Sequence, residues 1–153
     1  MMSGFDGRST TTRSFKLNLF SIFDEGKKAL VKKMAGDYDS DKVKARITGL
    51  INDNPVLMLS FTTCPYCIKA KEILKNDQYK DLKMTVLELD LDDEGKAIRA
   101  ELGDFIGRTS VPAVWVSGVF IGGCNDGPEA FGGVAKLHEQ NKLYSMFQEA
   151  KAI

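Results

Sequence analysis

The pattern of apolar and polar residues changes its period at Pro55, and this change divides the chain into two parts. Before Pro55 the apolar positions recur at helical spacing. They predict one helix from Phe15 to Met34 and a shorter one from Val43 to Ile51, which is capped by Ser40 or Asp41. The amino-terminal part is therefore predicted to be helical, after a tail over residues 1–14.

The first predicted helix carries four lysines among its apolar residues, at positions 27, 28, 32 and 33. A basic amphipathic helix can bind a membrane surface or a partner protein. It can equally pack its apolar side against the domain that follows in the chain. We expect the second arrangement.

After Pro55 the pattern alternates between strands and helices. A continuous apolar run over Val56–Phe61 is typical of a strand buried on both faces. The following residues predict, in order, a helix entered at Pro65, a strand over Met84–Leu91, a helix over Glu94–Phe105, two strands joined by a Ser117-Gly118 turn, and helices near Pro128–Leu137 and Lys142–Ala150. The first two strands enclose a helix, so we expect them to pair in parallel with a right-handed crossover.

Composition and charge exclude several classes of protein. The 153 residues suffice for one domain with its own core, and 21 Lys and Arg residues balance 21 Asp and Glu residues. This balance argues against a nucleic-acid-binding protein, which usually carries a basic excess. The chain has no run of eighteen apolar residues, so we expect no membrane span.

The compartment is inferred from the cysteine content and from the first residues of the chain. Three cysteines are too few for a secreted disulfide scaffold, which favours a reducing compartment. Residues 1–23 lack the apolar core of a secretory signal, and we expect a cytoplasmic protein. Because this segment is rich in Ser, Thr and Arg, the alternative is an organelle transit segment for the chloroplast or mitochondrion.

The chemistry that the sequence predicts centres on the stretch FTTCPYC, residues 61–67. Cys64 stands where the first strand has ended and a helix begins, with Pro65 at the first helical position. Unpaired amide groups and the helix dipole favour a negatively charged sulfur at that place. Cys67 follows one helical turn later and faces Cys64 from a shielded position. The pair can therefore cycle between a dithiol and a disulfide.

Two metal-based alternatives use the same cysteines. A zinc site could combine Cys64, Cys67, Cys124 and His138, although the last two are far apart in the sequence for a second ligand pair. An iron–sulfur cluster shared by two chains would need an open Cys64, and Pro65 stiffens that loop. His138 is otherwise expected to be an ordinary residue on a helix surface.

Three motifs in order, CPYC, TSVPAVWV and IGGCNDG, make the chain resemble the dithiol glutaredoxins from Asn54 to its carboxyl end. The resemblance implies an α/β thioredoxin-like fold with a four-stranded mixed sheet flanked by helices. We therefore expect a tail and helical extension over residues 1–50 and a glutaredoxin domain over residues 51–153.

The resemblance also implies an activity, which is glutathione-dependent reduction of protein–glutathione mixed disulfides and of protein disulfides. Cys64 would be the nucleophile and Cys67 the resolving thiol. The glutathione-binding residues implied are Tyr66, Arg99, Val111, Pro112, Gly123, Cys124, Asn125 and Asp126. Glutathione would be a cosubstrate, with no bound cofactor or metal, and the protein is expected to be a monomer.

One position departs from the family pattern. Phe61 stands where the family usually has a lysine that meets a glutathione carboxylate. We expect Arg99, with Arg108, to take over that role. Three alternative functions stay open at this point: a thioredoxin, a non-catalytic iron–sulfur carrier, and a separate partner for the amino-terminal helices.

Overall fold

The computed structural model describes residues 14–153, with side chains from residue 22 onward. The described side chains do not include the predicted tail, residues 1–14. They also leave out most of the possible transit segment, residues 1–23. The helices are α1 Ser14–Ala35, α2 Ser40–Asp53, α3 Pro65–Leu74, α4 Gly95–Ile106, α5 Val134–Glu139 and α6 Leu143–Glu149. The strands are β1 Val56–Ser60, β2 Met84–Glu88, β3 Ala113–Val116 and β4 Val119–Gly122. None of the helices in this described part is both long and apolar enough to cross a membrane.

The four strands form one mixed sheet in the order β2-β1-β3-β4. Strand β1 pairs in parallel with β2 and antiparallel with β3, and β3 pairs antiparallel with β4. The predicted mixed sheet and the parallel pairing of the first two strands are thus confirmed. The prediction that the second strand reaches Leu91 was wrong, because the Leu91 amide turns back to the Glu88 carbonyl at 3.1 Å.

Strand β1 lies at the centre of the sheet, and its side chains enter two cores. Val56 and Met58 pack on one face with residues of α3, α5 and α6. Leu57 and Leu59 pack on the other face with residues of α2 and α4. All four side chains are fully buried, as the continuous apolar run predicted. The helices therefore cover both faces of the sheet.

Local signals explain where the elements turn, begin and end. Ser117 and Gly118 both have positive φ, 49° and 78°, which is the two-residue hairpin turn that the sequence predicted. The cap of α2 differs from the prediction: the Asp39 carboxylate accepts the Lys42 amide, while the Ser40 hydroxyl donates to Glu101.

The helix predicted from Pro128 begins later, at Val134. The amides of Phe131 and Gly132 both bond the Pro128 carbonyl, which closes a separate turn. Gly132 and Gly133 then have positive φ, and this backbone conformation interrupts any helix.

The expected domain boundary between residues 50 and 51 falls inside α2. Val43 and Ile47 of this helix are buried against the sheet and α4. Helix α1 also packs on α4, through the buried Val31 and an ion pair of 3.6 Å between Lys32 and Asp104. We propose that the folded domain begins with α2, and that α1 alone is an addition to it.

This proposal predicts a large loss of stability from one substitution in α2. Ile47→Ala removes a buried side chain, so we expect the free energy of unfolding to fall by about 2–4 kcal/mol. The exposed neighbour Thr48 is a matched control, and Thr48→Ala should change stability by at most about 0.5 kcal/mol. Urea unfolding measures both changes. Equal, small effects would mean that α2 is not part of the domain.

Candidate active site

Cys64 caps the amino-terminal end of α3. Its Sγ accepts a hydrogen bond from the Cys67 amide at 3.4 Å, and Pro65 occupies the first turn of the helix. The side chain is partly exposed and has no disulfide partner. An incoming disulfide can therefore reach this sulfur, which lies at the positive end of the helix dipole.

Cys67 has a different environment, although it lies only one helical turn away. It is fully buried, and its Sγ accepts the Phe61 amide at 3.5 Å. Burial raises the pKa of the Cys67 thiol to about 11, and the Phe61 amide opposes that rise only in part. Cys67 is therefore a protonated thiol at neutral pH, unsuited to first attack but placed beside Cys64.

A cavity of about 290 Å³ lies next to the cysteines. The Val111–Pro112 peptide bond, which is cis, forms one wall, and the Val111 carbonyl lies 3.9 Å from the Cys64 Sγ. The residues that line the cavity are Tyr66, Arg108, Ser110, Val111, Pro112, Cys124, Asn125 and Asp126. Six of the eight residues predicted to bind glutathione thus lie together.

Two of the lining residues, Arg108 and Asp126, form an ion pair. The Arg108 Nη1 lies 3.0 Å from the Asp126 Oδ1, and the guanidinium sits over the Phe120 ring at 5.5 Å. Arg108 is largely buried, whereas Asp126 is 75% exposed. Within the described residues, the buried Arg108 Nε has no hydrogen-bond partner. A zwitterionic group bound here would find an anion and a cation side by side.

Two adjacent glycines, one at the end of β4 and one in the loop after it, are required by close packing. A Cβ on Gly122 would lie 2.3 Å from the Asp126 carbonyl oxygen, and Gly122 has a φ of 119°. A Cβ on Gly123 would lie 2.7 Å from the Arg108 Nη2. Gly123 also donates its amide to the Asp126 carbonyl at 2.8 Å. These glycines therefore bring the loop against Arg108.

Arg99, the remaining predicted side chain, lies elsewhere. Its Nε donates to the Thr109 carbonyl at 3.0 Å, and its guanidinium sits 5.2 Å from the centre of the Phe61 ring. It lines a neighbouring cavity together with Phe61. Ser110 also lines the first cavity, and the sequence analysis did not predict it as a site residue. It belongs to the TSVPAVWV motif, which could have indicated it.

The third cysteine and the single histidine have separate surroundings. Cys124 is buried in the wall of the cavity, and burial raises the pKa of its thiol. The His138 Nδ1 and the Tyr79 hydroxyl share a hydrogen bond of 2.9 Å. Among the residues described here, no three His, Cys, Asp or Glu side chains are grouped as a metal site requires.

The sequence is similar to those of known proteins from one family. The family model described as Glutaredoxin matches residues 56–121. Glutaredoxin-C2 of Arabidopsis thaliana is 35% identical over 104 residues, which cover 68% of this chain and 85% of that protein. The chloroplastic Glutaredoxin-C4 of Oryza sativa subsp. japonica is 31% identical over 106 residues, 68% of this chain and 71% of that protein.

A solved structure gives the same result for the fold. The crystal structure of a buckwheat glutaredoxin–glutathione complex superposes with a TM-score of 0.65 at 31% sequence identity. The match covers 74% of this chain and 94% of the buckwheat chain. The thioredoxin-like fold expected from the sequence is thereby confirmed. The chain belongs to the glutaredoxin family, and it is a glutathione-dependent thiol–disulfide oxidoreductase.

Proposed function

We propose that this glutaredoxin reduces protein–glutathione mixed disulfides through Cys64 alone, and protein disulfides through Cys64 and Cys67 together. The observation that carries the proposal is the contrast between the two sulfurs. Cys64 is reachable at a helix end, whereas Cys67 is buried and protonated. Attack and resolution therefore fall to different residues.

In the first route the Cys64 thiolate attacks the glutathione sulfur of the mixed disulfide. A Cys64–glutathione disulfide forms, and the substrate protein leaves as a thiolate that takes a proton from water. A second glutathione thiolate attacks the bound glutathione sulfur. Glutathione disulfide departs, and the Cys64 thiolate is restored.

In the second route Cys64 attacks a protein disulfide and becomes linked to one of its sulfurs, and the other sulfur leaves as a thiol. Cys67 then loses its proton and attacks the Cys64 sulfur, which releases the reduced protein. The Cys64–Cys67 disulfide that remains accepts two electrons from two glutathione molecules. The high pKa of Cys67 makes its deprotonation the demanding part of this route.

The proposed glutathione site runs along the first cavity. The Val111 backbone would pair with the cysteinyl part of glutathione as an added strand, beside Pro112 and Tyr66. The Asp126 carboxylate would accept the ammonium of the γ-glutamyl end, and Arg108 would meet the carboxylate on the same carbon. Gly123 would let the loop approach the ligand closely, and the Cys124 and Asn125 amides would be supplied to that carboxylate.

Arg99 is proposed to serve the opposite end of glutathione. Its guanidinium lies over the ring of Phe61. Phe61 is the residue that stands where the family pattern has a lysine. The glycyl carboxylate would then meet Arg99 rather than a lysine. This arrangement leaves one cation for each carboxylate of the ligand, with Arg108 at the γ-glutamyl end.

We propose that the protein is located in the cytoplasm and that it is a monomer. The relative from Oryza sativa is named as chloroplastic, and the chloroplast is therefore the alternative. Imaging of a carboxyl-terminal fluorescent fusion distinguishes the two, and light scattering measures the mass in solution.

The cysteine roles are tested with a glutathionylated peptide and a protein disulfide as substrates. Cys64→Ser should abolish both activities, because it removes the attacking sulfur. Cys67→Ser should keep the reduction of the glutathionylated peptide and lose that of the protein disulfide. Loss of both activities in Cys67→Ser would refute the division of roles. A wild-type chain that is inactive with glutathione would refute the proposed function.

The Asp126 role is tested by Asp126→Asn, which keeps the shape of the side chain and removes its charge. We expect KM for glutathione to rise about three- to tenfold with little change in kcat, since an exposed charge-assisted contact is lost. Glu129→Gln, which removes an exposed carboxylate outside the cavity, is the control and should leave KM unchanged. Equal KM values in all three proteins would exclude Asp126 from the site.

A further inference from the structure

Ser60 is a fully buried polar residue at the end of β1, and the reaction described above does not use it. Within the described residues, three polar or charged side chains are buried in this way, Ser60, Glu101 and Thr109. A hydroxyl inside a core is costly unless it forms hydrogen bonds. We therefore expect the Ser60 hydroxyl to have a hydrogen-bonding role at this place.

The alternation of β1 directs the Ser60 side chain toward α3. Residues two positions apart in a strand face the same side of the sheet, and Met58 packs in one core with Cys67 and Ala70 of α3. Ser60 follows Met58 by two residues and ends the strand. Its hydroxyl therefore lies on the same face of the sheet as Cys67, which belongs to the first turn of α3.

The hydroxyl is free to change its hydrogen-bond partner. It donates to the carbonyl of the next residue, Phe61, at 3.3 Å. That carbonyl also accepts the Cys64 amide at 3.3 Å, so it keeps a donor when the hydroxyl turns away. Because a serine hydroxyl rotates about its Cβ–Oγ bond, redirecting its single proton requires no movement of the backbone.

The Cys67 sulfur is held by hydrogen-bond donors and not by a cation. Its backbone donor is the Phe61 amide, at 3.5 Å. Burial raises the pKa of the Cys67 thiol to about 11, and the Phe61 amide and the Ser60 hydroxyl both oppose that rise. Lys71, one turn further along α3, forms an ion pair with Glu88, which stands opposite Ser60 on β2. These two charges offset each other, so a thiolate on Cys67 depends on its donors.

We propose that Ser60 assists the resolving step, by turning its hydroxyl from the Phe61 carbonyl to the Cys67 sulfur as this sulfur becomes a thiolate. The proposal rests on the proposed function and adds a residue to its second route. Reduction of glutathione mixed disulfides through Cys64 alone does not involve Cys67. The Ser60 hydroxyl therefore acts on the reduction of protein disulfides only.

The hydroxyl keeps its own proton throughout, because it acts as a donor and not as a base. The Cys67 thiol gives its proton to water, and the electron pair of the thiolate forms a bond with the Cys64 sulfur. The bond between Cys64 and the substrate sulfur breaks, and that sulfur leaves with the electron pair and takes a proton from water. The substrate disulfide has then gained two electrons, which the two cysteines have supplied.

The test follows the resolving step directly, with glutathione disulfide as the probe. One equivalent reacts with the reduced enzyme and leaves glutathione on Cys64, and Cys67 then displaces this glutathione. Acid quenching and mass spectrometry measure the loss of the adduct. In Ser60→Ala we expect the displacement at pH 7 to slow about tenfold, as for the loss of one hydrogen bond to a charged group. Reduction of the glutathionylated peptide should stay unchanged, which also shows that the variant is folded.

Two further variants separate the hydroxyl from the packing around it. Ser60→Thr keeps a hydroxyl at this position and should restore most of the wild-type displacement rate. Tyr79→Phe is the matched control, because it removes another buried hydroxyl from the same core, one that bonds His138. This control should displace glutathione at the wild-type rate.

Three results would overturn the proposal. One is a wild-type displacement rate in Ser60→Ala, and another is an equal slowing in Tyr79→Phe. Equally slow displacement in Ser60→Ala and Ser60→Thr, with peptide reduction intact, would assign the loss to packing instead. A wild type that forms no Cys64–glutathione adduct would refute the proposed function itself, and the role of Ser60 would fall with it.

Discussion

The structure depends on how the backbone at Phe61 holds two sulfur atoms at the beginning of α3. The Phe61 carbonyl accepts the Cys64 amide and its own amide donates to Cys67, so the loop and the first helical turn are fixed to each other. One sulfur then faces solvent at a helix end, while the other is enclosed by the core. We therefore expect two identical side chains to differ in reactivity because of where they are placed.

The rest of the fold supports that loop. Strand β1 ends directly before it, is buried on both faces, and pairs with β2 and β3 on either side. The loop after β2 brings Asp90 to the Thr62 amide, and the hydrogen bonds of Thr62 hold the pKa of the Asp90 carboxyl below its usual value. The segment before β3 brings Val111 to Cys64. The loop after β1, the loop after β2 and the segment before β3 therefore meet around Cys64 and Cys67.

Much of this could be predicted from the sequence, because the signals are local. The apolar run of β1, Pro65 after Cys64 and the Ser117-Gly118 turn each specify their own structure. The surroundings of Arg99 could not be predicted, since they depend on the ring of Phe61, which lies far from it in the chain, and on a loop carbonyl at Thr109. Periodicity also could not show which side of α1 is buried, because Val31 packs while the larger Leu30 and Met34 stay exposed.

The central claim is that burial, and not sequence position alone, makes Cys67 unreactive until Cys64 has reacted. Limiting iodoacetamide at neutral pH, followed by peptide mass mapping, tests it most directly. We predict modification at Cys64, with Cys67 nearly untouched because its pKa is about 11. In Cys64→Ser the Cys67 rate should rise roughly tenfold per pH unit above neutrality, as its thiolate fraction grows. Equal modification of both cysteines, or a Cys67 rate that does not change with pH, would contradict the claim.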